Sequence, residues 1–141
     1  MSEEQKNSSF ISAAFRQFIV KMLIFTMIII FISSVLFLTV LKLWYLASFP
    51  YLAFLIATVT TIGHLLVVKA SVMNARRFAT AFLTSVSLKL MIYLTFILVY
   101  LLIDHSQAIA FVLTFITYYI LFTIFEVIQV LNFIKKIKIS L

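Results

Sequence analysis

The chain has 141 residues, 65% hydrophobic, 16% aromatic and 11% charged, with a formal net charge of +7 and a mean hydropathy of +1.25; a soluble domain is roughly 45–50% apolar and about 25% charged. This composition excludes a water-soluble globular domain and a disordered chain. The lack of cysteine excludes a disulfide scaffold, and one Gly with one Pro leaves too few turns for an all-β fold. The expected class is all-α, a polytopic membrane protein with four transmembrane helices in an antiparallel bundle, the whole of 1–141 forming a single membrane domain.

In chain order, residues 1–9 are polar and read as a disordered tail. Over 10–21, Phe10, Ile11, Ala14, Phe15 and Phe18 recur at helical spacing opposite Ser12, Arg16 and Gln17. That segment reads as an amphipathic helix lying among headgroups or extending the first span. The spans follow at about 22–41, 51–68, 78–103 and 108–133, and 134–141 is a basic tail. No charge interrupts the first span between Lys21 and Lys42, and about 20 apolar residues cover a hydrocarbon core of roughly 30 Å. Its apolar run is too long for a cleaved signal, and Leu41-Lys42-Leu43-Trp44 offers no A-x-A-like site, so it reads as an anchor. Pro50 opens the second span and Lys69 closes it. The third and fourth exceed a simple crossing, which predicts tilt. The short turn Asp104-His105-Ser106-Gln107 makes them a hairpin.

Basic residues orient these spans. Lys6, Arg16, Lys21, Lys69, Arg76, Arg77, Lys135, Lys136 and Lys138 flank one side, against Lys42 alone on the other. The positive-inside rule then puts both termini in the cytoplasm of a bacterial inner membrane. Trp44, Tyr45, Tyr51 and Tyr100 fall at the outer interface. The charge is thereby assigned to topology and to anionic lipid headgroups, with Lys69, Arg76, Arg77, Lys135, Lys136 and Lys138 as the contacts, and not to nucleic acid.

Lys89 and Glu126 are the charges inside the spans. Lys89 lies 12 residues beyond Arg77 and Glu126 9 before Lys135, which sets them about 18 Å and about 13–14 Å from the inner interface. A lysine stem bends across that difference, so the two are expected to pair, which offsets part of the cost of burying each charge. Ser85 and Tyr93 share the face of Lys89, and Tyr119 and Gln129 that of Glu126. Thr58, Thr61, Gly63 and His64 on the second span, with Ser33 and Ser34 on the first, extend a polar layer over all four helices. The layer has two open readings: a lock between the third and fourth helices, or a site for a partner helix, a proton or an ion. His64 has the same two, a bond to a backbone carbonyl or a ligand role. The sixteen phenylalanines read mostly as lipid-facing bulk.

No catalytic chemistry is expected. There is no Cys, no HExxH, no Gly-rich phosphate loop and no paired carboxylates, and His64 with Glu126 is too sparse for a metal. No cofactor is expected either.

From His64 to Ile134 the chain combines a basic loop (Lys69, then Asn74-Ala75-Arg76-Arg77-Phe78) with mid-span Ser85-Val86-Ser87-Leu88-Lys89 and a hairpin ending Phe125-Glu126-Val127-Ile128-Gln129. This pattern resembles the ATP synthase protein I (subunit I) family of small four-span bacterial membrane proteins, in its divergent Bacteroidetes-like version. Ser85 and Lys89 match the family's small residue and lysine; Val86 stands where the family has an acidic residue, and the family's Pro-Asn signature in span two is missing. The resemblance implies an accessory protein that assists assembly or stability of the F-type ATP synthase c-ring, with the c and a subunits as partners and, for some members, a link to magnesium supply. In that picture Lys89 or tyrosine hydroxyls hold the c-subunit carboxyl. The alternatives are a proton- or ion-coupled transporter or channel subunit, as a homo-oligomer working through Lys89 and Glu126, and a purely structural subunit of a larger complex. Small multidrug exporters fit poorly, since their glutamate lies in span one and their Lys/Arg bias is weak.

Overall fold

The computed structural model of the chain describes residues 2–140; Met1 and Leu141, which the two tails above include, lie outside the described residues. Among the described residues the chain is wholly helical: α1 (Glu3–Thr39), a 3-10 turn (Lys42–Trp44), α2 (Phe49–Ser71), α3 (Ala75–Ile103) and α4 (Ala108–Ser140). All four helices are long and apolar enough to cross a membrane.

The N-terminal tail differs from expectation, and the basic tail is helical. Residues 3–9 continue α1 as helix instead of forming a disordered tail. The backbone N–H of Ser2 donates to Gln5 Oε1 at 3.2 Å, and Glu3 and Glu4 occupy the first turn, where negative charge suits the helix dipole. At the other end α4 runs on through the basic tail, with Lys138 in its last turn, where positive charge suits the dipole. Pro50 sits in the first turn of α2, where its missing N–H costs nothing. Asn74 caps α3, its Oδ1 accepting from the Arg77 N–H at 2.8 Å.

α2 is the central helix, packing against α1, α3 and α4. Half of its most apolar window (50%) is buried, against 28%, 11% and 22% for α1, α3 and α4. Its buried residues Ala53, Ala57, Thr60 and Gly63 are small, which lets three neighbouring backbones draw close. α1 turns one stripe inward, Phe18, Met22, Thr26, Ile29, Ser33 and Phe37, at the 3–4 residue spacing of a helix face. Phe18 meets His64 near one end of α2, and Phe37 meets Phe49 near the other.

The phenylalanines correct a second expectation. Only Phe31 and Phe54 are exposed; Phe18, Phe37, Phe49, Phe111, Phe115, Phe122 and Phe133 are buried and the rest half-buried. The slender α2 leaves space that rings fill: Phe25 stacks on Phe125 at 4.5 Å and meets Phe122 edge-on at 5.3 Å. Leu, Ile and Val supply most of the outer surface. α3 and α4 make few backbone approaches, so long side chains span the gap between them. Tyr100 stacks on Phe111 there at 3.6 Å.

Candidate functional site

The buried face of α3 consists of Ser85, Lys89 and Tyr93, one turn apart. All three carry polar heads, and α2 and α4 must satisfy them. Lys89 Nζ donates to both carboxylate oxygens of Glu126, at 2.5 Å each. Lys89 is 7% exposed and Glu126 8%, so each charge has lost its hydration and depends on the other.

The single glycine makes room for this pair. A Cβ on Gly63 would overlap Lys89 Cε and lie 2.5 Å from Ser85 Oγ and 3.0 Å from Lys89 Nζ. No glycine here has a positive φ, so Gly63 is needed for space and not for backbone conformation. The lysine stem crosses the bare backbone of α2 to reach α4.

One turn further along α3, the Tyr93 hydroxyl donates to the Ile56 carbonyl of α2 at 3.5 Å, with Thr60 beside it. The Tyr93 ring meets Phe115 and Tyr119 edge-on, at 5.4 and 5.6 Å. Toward the end that carries the termini, His64 is 3% exposed and stacks on Phe18 at 3.6 Å. Its Nδ1, like Ser85 Oγ, is buried without a hydrogen-bond partner among the described residues.

Lys89 and Ser85 therefore meet at Gly63, with Glu126 on the lysine head, Tyr93 one turn along α3, His64 next to Gly63 in the chain, and the half-buried Tyr119 at the edge through its ring on Tyr93. Other expected members do not join them. Thr61 bonds the Ala57 carbonyl of its own helix at 2.7 Å, and Thr60 takes the inward place. Gln129 accepts from Lys21 at 3.5 Å and lines a separate cavity. Thr58 and Ser34 likewise bond carbonyls of their own helices. Lys69, Arg76, Arg77, Lys135, Lys136 and Lys138 are exposed where α2 ends, α3 begins and α4 ends.

Lys89 is enclosed and paired with Glu126, as its depth predicts; to hold the carboxyl that the resemblance implies, it would have to be released from Glu126. A second polar contact was missed: Tyr118 donates to Ser33 Oγ at 2.7 Å, joining α4 to α1. Tyr118 and Tyr119 both fall within a quarter turn of the direction of Glu126, so the α4 sequence alone does not single out Tyr118. Among the described residues no group of three His, Cys, Asp or Glu side chains is placed to hold a metal. Searches against protein-family models, curated proteins and solved structures return no match to this chain.

Proposed function

We propose that this chain is a multi-pass protein of a bacterial inner membrane, an antiparallel bundle with both ends cytoplasmic, acting without catalysis as an accessory subunit of a larger membrane complex. One observation carries the membrane assignment. α3 buries only Ser85, Lys89 and Tyr93, while Leu83, Leu90, Met91, Leu94 and Leu98 face outward. Such a helix suits a lipid surround, where apolar side chains face the hydrocarbon and polar ones are satisfied inside.

The accessory role follows from how the charges are used. Lys89 and Glu126 neutralise each other inside, which supports a locking role. The outer face of α3 stays open and apolar, and helices associate in lipid through packing at such faces. The partner implied by the resemblance is the F-type ATP synthase, with this chain assisting c-ring assembly or stability by contact between α3 and the c or a subunits. A mild-detergent pull-down of the tagged chain from its native membrane, with mass spectrometry of what co-purifies, tests it. Recovery of c or a subunits supports the role; recovery of the chain alone as a homo-oligomer refutes it.

A second reading, ion-coupled transport, is favoured by the partnerless His64 Nδ1 and Ser85 Oγ near the pair. Those are polar atoms a moving proton or ion would use. Its test is flux into liposomes that Glu126→Gln abolishes.

A further inference from the structure

A cavity of about 350 Å³ opens between α1, α2 and α4 at the end that carries the termini, within the roughly 300–1,000 Å³ range of small-ligand pockets. Lys21 enters it from α1, held by its bond to Gln129, and Lys136 enters from α4. Gln17 and Asn132 add amide donors. The buried His64 ring, stacked on Phe18, lines its inner part. No carboxylate is among the described lining residues. Two cations, several neutral donors and no acid form a site of one sign.

We propose that this cavity binds a phosphate-bearing anion, in the form of a phospholipid headgroup. Lys21 and Lys136 pair with the phosphate oxygens, and the amides of Gln17 and Asn132 donate to the remaining ones. The level of the cavity favours a lipid over a soluble anion. Lys21 immediately precedes the long apolar run of α1 and Lys136 follows that of α4, so both ammonium groups stand where headgroups lie. The rings of Phe10 and Phe133, 5.6 Å apart, flank the cavity with apolar surface suited to the glycerol and upper acyl chain. All four lysines are exposed, but only Lys21 and Lys136 line the cavity; Lys135 and Lys138, on the same turns of α4, do not.

The site rests on the membrane assignment above, so carbonate extraction of native membranes comes first; release of the chain would refute that assignment before any lipid is counted. The test proper is native mass spectrometry of the full chain in detergent with phosphatidylglycerol or phosphatidylethanolamine added. Lys21→Gln with Lys136→Gln is compared with Lys135→Gln with Lys138→Gln, which removes the same charge from outside the cavity. The cavity pair is expected to lower phosphatidylglycerol retention about 100-fold, the approximate worth of two charge-assisted hydrogen bonds, and the outer pair, which makes no contact with the headgroup, far less. Equal losses in the two double variants, or no preference for the anionic lipid, overturn the proposal. Inorganic phosphate is added in a parallel arm. If it displaces the lipid only at high concentration, the headgroup assignment holds; if it binds alone and lipid does not, the lipid assignment is overturned.

Discussion

Substituting Gly63 by alanine isolates the crossing of Lys89 over α2. On an exposed helix this change gains about 1 kcal/mol from backbone propensity. Here the new methyl would overlap Lys89 Cε and approach Ser85 Oγ to 2.5 Å. The serine can rotate away, but the lysine is tethered at its far end by Glu126. Lys89 therefore withdraws, and Glu126 is left as a buried charge without its partner. Breaking such a pair costs roughly 3–5 kcal/mol. Set against the propensity gain, Gly63→Ala is expected to destabilise by about 2–4 kcal/mol. Reversible unfolding in mixed micelles, titrated with dodecyl sulfate and followed by circular dichroism, reads this. The same substitution in a Lys89→Ala, Glu126→Ala background has no stem to meet and should be neutral or stabilising. A Gly63→Ala protein as stable as the parent, or an equal loss in both backgrounds, would refute the reasoning.

Three further outcomes are expected. Glu126→Leu alone should lose roughly 3–5 kcal/mol, whereas Lys89→Met with Glu126→Leu should return to the parent's stability or exceed it; the same unfolding titration decides, and a double variant weaker than the single one would oppose a locking role. Tyr118→Phe removes the bond to Ser33 and should cost about 0.6 kcal/mol, at most about 1.7, in line with hydrogen bonds measured between membrane helices. In the α3–α4 turn, Ser106 donates to Asp104 Oδ1 from both Oγ (2.6 Å) and backbone N–H (2.9 Å), which holds that carboxyl below its ordinary 3.8. A depressed carboxyl favours the folded turn above its unfolded value and loses that preference as pH falls through its folded value, so the window lies below 3.8. A carbon-13 NMR titration of Asp104 should therefore have its midpoint below 3.8, and Ser106→Ala should move it back part of the way.

The number and order of the helices were legible because lipid-length apolar runs separated by charged turns leave little choice. Setting Lys89 at the depth of Glu126 needed only a count of residues from Arg77 and Lys135, because helix rise is nearly constant. What sequence could not supply was which residue lies opposite another across a helix pair. Gly63 was visible as a small residue, yet nothing in the chain said that a lysine stem from α3 would pass over it. Thr60, and not the neighbouring Thr61, takes the inward place on α2, and one step along a helix turns a side chain by roughly 100°. Burial decides such choices, and it depends on the neighbours. The phenylalanines misled for a different reason. Ring hydrophobicity suits lipid and core equally, and the small residues of α2 created interior volume for rings to fill. The N-terminal tail misled because capping at Ser2 extends α1 beyond its apolar stretch.

The wide separation of Lys89 and Glu126 along the chain has a consequence for biogenesis. Donor and acceptor are 37 positions apart, so at ordinary translation speeds the lysine leaves the ribosome roughly 2–7 s before its counter-charge. For that interval α3 has no partner for its ammonium group, while α2, already made, offers only the bare backbone at Gly63. In the proposed membrane setting such a helix would wait at the insertion machinery until α4 follows, and the last two helices would enter together as a neutralised hairpin.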